Sequence, residues 1–182
     1  SFSHSASSLM ISKMKGNIVD LLYAPLSPTE VTTSIILAAV TRAIVIGFVS
    51  TLVFLFIVDL PIKNIGYVLY AAFFGSFFIG SIGFITGLWA TKFDHTATIT
   101  NFIIQPLSFL SGVFYTIDKL PSVFQAISQI NPFFHIINIF RYGFLGTSDG
   151  DLFFGIMLLP ILSLFTWFVA FVLYKKGYKI KS

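Results

Sequence analysis

The sequence is short of charged residues and contains no cysteine. Of its 182 residues only 10% are Asp, Glu, Lys or Arg, whereas 56% are hydrophobic. Soluble domains carry about 25% charged residues, so this shortage excludes an ordinary soluble domain and indicates a chain that lies in a membrane. The lack of cysteine excludes disulfides, thiolate nucleophiles and thiolate metal sites.

Motifs for catalysis, metal binding and nucleotide hydrolysis are also missing. The three histidines, His4, His95 and His135, are far apart in the sequence, and no HExxH motif or acidic cluster accompanies them. No GxSxG motif and no nucleophile–base pair is present. Without a GxxxxGK[ST] motif the chain cannot hydrolyse ATP by the P-loop mechanism, so any ATP-driven function needs a second protein. We therefore expect no catalytic residue, no metal and no cofactor in this chain.

Four long apolar segments dominate the sequence instead, each close to the roughly 20 residues that cross a hydrocarbon core. Short polar turns at 59–64 and 92–98 separate them. Arg42 is the one charge inside the first segment, where it either reaches back to the interface or faces the interior of a helix bundle. We predict an all-α, polytopic helical membrane protein with four transmembrane helices, at 38–58, 65–91, 99–116 and 152–174.

Small residues recur every four positions in the second segment. Ala72, Ser76 and Gly80 follow this spacing, and Gly83 and Gly87 form a GxxxG pair. Small residues at this spacing let helix backbones approach closely, although glycine is also commoner in spanning helices generally. The pattern predicts close helix packing and carries no information about a substrate.

Residues 9–24 predict an amphipathic helix that a proline-rich turn at 25–28 ends, whereas residues 1–8 are small and polar without periodicity. One interpretation is a helix that lies in the membrane interface. The other is a cytoplasmic element that docks on a partner protein. The predicted apolar face consists of Met10, Met14, Ile18, Leu21 and Leu22, and the opposite face carries Lys13, Gly16 and Asp20.

The stretch 101–146 is too interrupted for one spanning helix and too apolar for an ordinary soluble loop. Its short helical pieces, 122–130 and 133–145, fall below the length of about 20 residues that a crossing requires. Non-helical backbone at membrane depth is tolerated only where protein or a wet cavity covers it. We predict a broken, re-entrant helical pair at the outer face of the membrane. The residues that mark it are Gly112, Pro121, Asn131, Pro132 and Arg141.

Three polar residues in this stretch have alternative roles. Arg141 is either an interfacial residue with its guanidinium in water, or a buried residue that caps backbone carbonyls of the broken segment or meets an anionic substrate. Asn101 and Gln105, within the third predicted span, are expected to face the helix bundle. We regard these two amides as candidates for the lining of a polar translocation path.

The basic residues predict the orientation. Four spans place both chain ends on one side, and the cytoplasmic side of membrane proteins carries the excess of Lys and Arg. The cytoplasmic set comprises Lys13, Lys15, Arg42, Lys92 and the four lysines of the C-terminal tail, against Lys63, Lys119 and Arg141 outside. Because the tail KKGYKIKS explains much of the net charge of +4, the charge does not indicate nucleic-acid binding.

Two segments resemble the permeases of ABC-2 type transporters, the membrane subunits of ATP-binding-cassette exporters. FLSGVFY, followed by LP, NP and Arg141, carries the resemblance, together with GNIVDLLYAPLSPTE. Full-length permeases of this family have six spans, so the resemblance implies that residues 1–182 are one transmembrane domain lacking the first two. It also implies that residues 9–28 contact the ATPase, with Lys13, Gly16, Asp20 and Pro25 as coupling residues.

The resemblance implies partners and a location as well. These are a second permease copy or a paralogue, membrane lipid, and cytoplasmic ABC ATPase subunits that hold Mg-ATP, all at the bacterial inner membrane. The substrates it implies are amphipathic drugs, lipids or glycans. Two other functions stay open on the residues alone. One is a membrane enzyme acting on lipid near His135 or Arg141, which lacks the acid–base pair such chemistry needs. The other is an ion-coupled carrier, which needs ionisable residues within the spans.

Overall fold

A computed structural model describes residues 1–15, 25–58, 61–113 and 121–178 of the chain. Within these ranges the regular structure is helical and no strand occurs, which confirms the predicted all-α class. The helices are α1 (Phe2–Met14), α2 (Pro28–Ile57), α3 (Ile65–Trp89), α4 (Phe93–Ile99), a π-helical turn (Thr100–Ile104), α5 (Gln105–Phe109), α6 (Ser122–Ile130), α7 (Pro132–Leu145) and α8 (Leu152–Lys175).

Three helices, α2, α3 and α8, are long and apolar enough to cross a membrane, with 30, 25 and 24 residues. They coincide with the first, second and fourth predicted spans. The third predicted span, 99–116, corresponds to a helical run that begins at Phe93 and continues through the π-helical turn to Phe109. Residues 114–116 lie outside the described ranges, and the fourth crossing stays a prediction.

Helix α2 extends further towards the N-terminus than the predicted span 38–58. The helix begins at Pro28 because Ser27 and Glu30 form a capping box. The Ser27 amide donates to Glu30 Oε2 at 2.7 Å, and the Glu30 amide donates to Ser27 Oγ at 3.3 Å. Pro28 occupies the first helical position, where its missing N–H costs nothing. The sequence SPTE carries this signal.

The predicted polar loop at 92–98 is wrong, because α4 occupies most of it. Asp94 lies in the first turn, where a carboxylate complements the helix dipole. Thr96 Oγ1 donates to the Phe93 carbonyl at 2.7 Å, and Thr98 Oγ1 donates to the Asp94 carbonyl at 2.8 Å. The two threonine hydroxyls thus bond to carbonyls of their own helix and do not interrupt it.

The π-helical turn marks the position of Pro106, for which the sequence predicts a kink. Proline has no amide hydrogen to donate into the helical ladder, and the wider π register immediately precedes it. π-Helical turns inside α-helices are frequent at functional positions. Asn101 lies within this turn and Gln105 directly follows it, and both side chains are exposed in the chain.

The first helix starts earlier than predicted. Residues 1–8, expected to lack periodicity, belong mostly to α1, and the predicted start at residue 9 is wrong. Met10 is buried but Met14 is 61% exposed, so these two do not share a packed face as expected. The remainder of the predicted helix, 16–24, lies outside the described ranges. The buried stripe of α1 follows the 3-and-4 spacing and comprises Phe2, Ser5, Ala6, Leu9 and Met10.

The chain divides into two compact units, one formed by residues 1–43, 76–99 and 162–182, the other by 44–75 and 100–161. Helices α2, α3 and α8 contribute residues to both units. The core of the first unit gathers side chains from α1, α2, α3 and α8. Its buried members are Leu9, Val31, Ile36, Val40, Phe84, Leu88, Ala170 and Tyr174.

The partner of the GxxxG pair in the first unit is α1. A Cβ placed on Gly87 would lie 2.8 Å from the Ala6 carbonyl oxygen, and one on Gly83 would collide with the Phe2 carbonyl. These are backbone atoms, so the two helices pack at the distance that only glycine permits. The predicted close helix contact is thereby observed.

Candidate functional site

Side chains from α6, from α7 and from Asn131 between them bond to backbone carbonyls at the end of α5 and just after it, in the second unit. Ser128 Oγ donates to the Leu110 carbonyl at 3.1 Å. Asn131 Nδ2 donates to the Leu107 carbonyl at 2.7 Å, and Arg141 Nη2 donates to the Gly112 carbonyl at 2.5 Å. We call Ser128, Asn131 and Arg141 the carbonyl-capping cluster.

These contacts provide the hydrogen-bond donors that carbonyls at a helix end lack. The last four carbonyls of a helix have no partner within it, and an unsatisfied carbonyl in an apolar environment costs several kcal/mol. Gly112 ends the helical run in the left-handed region with φ 76°, a conformation that glycine adopts without strain. The carbonyl-capping cluster therefore satisfies carbonyls at the point where the helix stops.

Asn131 serves both helices at once. It is 3% exposed, and its φ of −73° and ψ of 117° place it in the extended conformation that a following proline favours. Its Oδ1 accepts from the Phe133 amide at 3.0 Å and so caps the start of α7, while Nδ2 bonds to the end of α5. Pro132 occupies the first position of α7. One Asn-Pro pair thus ends one helix, starts the next and ties both to a third.

Arg141 also pairs with Asp149, and the two side chains are 17% and 15% exposed. Asn138 holds the same loop from α7. Its Oδ1 accepts from the Asp149 amide at 2.8 Å, and its Nδ2 donates to the Gly150 carbonyl at 3.4 Å. Of the alternatives that the sequence leaves open for Arg141, the structure shows the guanidinium bonded to a backbone carbonyl of the broken segment.

His135, the candidate residue of a membrane enzyme, is 3% exposed on α7. Its Nε2 bonds to the Gln129 carbonyl at 2.8 Å, and its ring lies 5.2 Å from that of Phe154. The nearby carboxylate of Asp151 accepts from the Phe154 amide instead. Within the described ranges no group of His, Asp or Glu could hold a metal ion. This surrounding is that of a packed helix contact.

The predicted ATPase-coupling residues are only partly visible. Gly16 and Asp20 lie outside the described ranges, and Pro25 is exposed just before α2. Lys13 has a role inside the chain, since its Nζ donates to the Leu88 carbonyl and, at 3.3 Å, to the Ala90 carbonyl. A cation at a helix C-terminus satisfies free carbonyls and complements the dipole. Lys13 therefore caps the end of α3.

Replacing Lys13 with Met is expected to lower the free energy of unfolding by about 1–2 kcal/mol, because charge-assisted bonds to two carbonyls are lost. The measurement is the temperature at which the detergent-solubilised protein leaves the monodisperse peak in size-exclusion chromatography. Lys15→Met is the matched control, since Lys15 is exposed two positions further along. Equal losses of stability in both variants would contradict the capping role.

Comparison with known proteins decides the family. A family model described as ABC-2 type transporter matches residues 1–145 of the chain. The chain belongs to the ABC-2 type transporter family. The match covers the carbonyl-capping cluster and stops before Asp149.

Individual relatives of this ABC-2 chain are named as membrane proteins. "Inner membrane transport permease YadH" of Escherichia coli (strain K12) is 29% identical over 183 residues, which cover 100% of this chain and 71% of the relative. "Capsule polysaccharide export inner-membrane protein BexB" of Haemophilus influenzae is 31% identical over 104 residues, or 56% of this chain and 38% of the relative. "Nodulation protein J" of Rhizobium leguminosarum bv. viciae is 33% identical over 66 residues, or 36% of this chain and 26% of the relative. No solved structure matches significantly.

The family match confirms the resemblance seen in the sequence. Together with three apolar helices of spanning length, it shows that this ABC-2 chain is a multi-pass membrane protein. Sequence reasoning missed Ser128, Asn138 and Asp149 as members of the polar network. One indication of Asp149 was present in the sequence, because an acidic residue that follows an apolar stretch with a lone Arg141 is a candidate for an ion pair with it. Nothing in the sequence indicated the roles of Ser128 and Asn138, because a single polar residue in a short helix does not show which group it bonds to.

Proposed function

We propose that the chain is the permease subunit of an ATP-driven exporter and that a separate ABC ATPase hydrolyses the ATP. The observation that carries this is membership of the ABC-2 transporter family by a chain that contains no P-loop. ATP must then be hydrolysed by another protein. Relatives named for transport and for capsule polysaccharide export support an inner-membrane location, and the second name supports a glycan among the proposed cargoes, which are an amphipathic drug, a lipid or a glycan.

The proposed topology has four crossings. Helices α2, α3 and α8 provide three, and the helical run from Phe93 to Phe109 provides the fourth. That run reaches the lower end of the range of about 17–25 residues that cross a bilayer. The positive-inside bias then assigns both ends to the cytoplasm and α6 and α7 to the outer face, where they form a re-entrant pair. The end of α5, which precedes this pair, is compatible with such a position because the carbonyl-capping cluster bonds to the carbonyls of Leu107, Leu110 and Gly112.

The proposed translocation path lies along the Phe93–Phe109 run. Asn101 and Gln105 are exposed there, next to Phe102, which is 77% exposed. Amide side chains on the surface of a spanning segment face protein or water more readily than lipid. A second permease copy packed against this run would enclose the two amides between two identical or paralogous chains.

The proposed coupling element covers residues 9–28. Lys13 fixes its beginning to the end of α3, and the capping box of Ser27 and Glu30 fixes its end to α2. Force applied to the intervening segment would therefore reach two spanning helices directly. Such an arrangement suits a contact with a cytoplasmic ATPase.

Purification of the tagged chain from native membranes in mild detergent is expected to recover a P-loop ATPase in stoichiometric amount. Gly16→Trp and Asp20→Lys are expected to reduce that recovery about tenfold, because a bulky side chain obstructs docking and a reversed charge repels a basic partner. Lys176→Gln, an exposed lysine outside residues 9–28, serves as the control, and expression level and elution volume show whether the membrane fold survives. Full recovery with both variants would refute the coupling role, and absence of any P-loop protein would refute the proposed function.

A further inference from the structure

A groove opens in the second unit between the first turns of α3 and α8. It is lined by Gly66, Tyr67, Tyr70 and Ile156 and has a volume of about 270 Å³. A Cβ built on Gly66 would meet no atom within 4 Å, so the space begins directly at the backbone of α3. We call these four residues the acyl groove.

Both tyrosines of the groove make contacts within the unit. Tyr70 donates its hydroxyl to the Ile156 carbonyl at 2.5 Å, which joins α3 to α8 across the groove. The ring of Tyr67 packs edge-on against that of Tyr142, with the ring centres 5.0 Å apart. The walls therefore offer apolar ring and aliphatic surface, and their positions are fixed by contacts within the unit.

The size of the groove indicates which kind of ligand can occupy it. Sites for drug-sized molecules measure about 300–1,000 Å³ and hold a few convergent polar groups, so this groove is too small and too apolar for a whole drug or a sugar unit. A single acyl chain needs only a narrow apolar trough. Gly66 and Ile156 lie near the starts of two helices of spanning length, where tyrosines commonly mark the membrane–water interface.

A cation lies next to the groove. Lys63 is exposed and comes three residues before Gly66. Its side chain runs along the turn at Gly146, with Nζ 3.3 Å from the position that a Cβ there would take. No described carboxylate pairs with Lys63, since the described ion pair of this unit joins Arg141 to Asp149. The ammonium is thus available to an anionic group.

We propose that the acyl groove binds one acyl chain of an anionic phospholipid from the surrounding bilayer and that Lys63 holds the phosphate of the same lipid. A lipid fits both observations, because it joins an apolar chain to a negative headgroup. A second copy of the chain fits the groove less well, since a stable protein interface buries about 1,200 Å² or more and this groove has a volume of only about 270 Å³. The site is distinct from the exposed amides of the proposed translocation path.

The test uses the full chain in liposomes that contain phosphatidylglycerol with a photoactivatable acyl chain. Labelling is expected on the peptide that holds Tyr67 and Tyr70. Gly66→Trp fills the groove and is expected to reduce this labelling at least fivefold. Gly47→Trp is the matched control, because a Cβ on Gly47 also meets nothing within 4 Å, and it is expected to leave the labelling unchanged.

A second variant tests the headgroup contact. Lys63→Gln is expected to remove a roughly fivefold preference for phosphatidylglycerol over phosphatidylcholine probes, whereas Lys176→Gln, another exposed lysine, retains it. Unchanged labelling in Gly66→Trp, or a preference that survives Lys63→Gln, overturns the proposal. Because the chain has no cysteine, Gly66→Cys adds a unique thiol, and an efficient disulfide between two copies there would assign the groove to a second copy instead. These readouts do not depend on ATP or on an ATPase, so they stand apart from the test of the proposed function.

Discussion

Replacing Arg141 with Met is expected to lower the free energy of unfolding by about 2–4 kcal/mol. The change leaves the half-buried carboxylate of Asp149 and the Gly112 carbonyl without their shared partner, and removing one member of a largely buried ion pair is strongly destabilising. The midpoint of thermal aggregation in detergent measures the loss, followed by size-exclusion chromatography. Lys176→Met, which removes an exposed cation, provides the control.

A double-mutant cycle separates the two contacts of Arg141. Asp149→Asn keeps the bond from Arg141 to Gly112 and is expected to cost less than Arg141→Met. The coupling energy between the two positions should fall within about 0.5–3 kcal/mol, as for residues in one polar network. An Arg141→Met variant with the parent's midpoint would show that the guanidinium is solvated and that the carbonyl-capping cluster does not stabilise the broken segment.

Leucine at Gly83 or Gly87 is expected to prevent α1 from packing and to cost about 3 kcal/mol or more. Overpacking of a core costs about 1–3 kcal/mol when neighbouring side chains can adjust. The atoms that the new side chain meets here are the Phe2 and Ala6 carbonyls of α1, and backbone cannot turn aside as a side chain can. Protection of α1 from protease in detergent micelles measures the packing.

Gly47→Leu is the matched control for this prediction. It places the same side chain on a helix of spanning length, at a position where nothing lies within 4 Å. We expect protease protection and yield close to those of the parent. If Gly83→Leu and Gly87→Leu behave like Gly47→Leu, then α1 does not pack on α3 at glycine distance.

The long helices were predictable because one strong signal, a long apolar run, determines them. The errors lie where that signal is weak. Hydropathy marked a span from residue 38 but does not show where α2 begins, which the capping box of Ser27 and Glu30 sets at Pro28. Residues 1–8 showed no periodicity in the sequence, although Ala6 packs against Gly87 and Ser5 lies near Gly80, contacts that a single helix sequence does not reveal.

The candidate site shows a similar division. Gly112, Asn131 and Arg141 could be selected from the sequence, since a break in an apolar segment requires a turn residue, a cap and a reason for a lone charge. The carbonyls that accept their hydrogen bonds could not be predicted, because every residue has a backbone carbonyl and the sequence does not distinguish one from another. Lys13 was predicted to be free for a partner protein, and its bonds to the end of α3 depend on how two distant segments pack.

The most direct test of the central claim is ATP hydrolysis by the co-purified ATPase in liposomes, with and without this chain. The account predicts that the permease raises the hydrolysis rate and that Gly16→Trp removes the increase while the ATPase alone is unaffected. Lys176→Gln, an exposed lysine outside the coupling element, should retain the full increase. A hydrolysis rate that is the same with and without the permease, together with cargo movement that follows an ion gradient in the absence of ATP, would contradict the account.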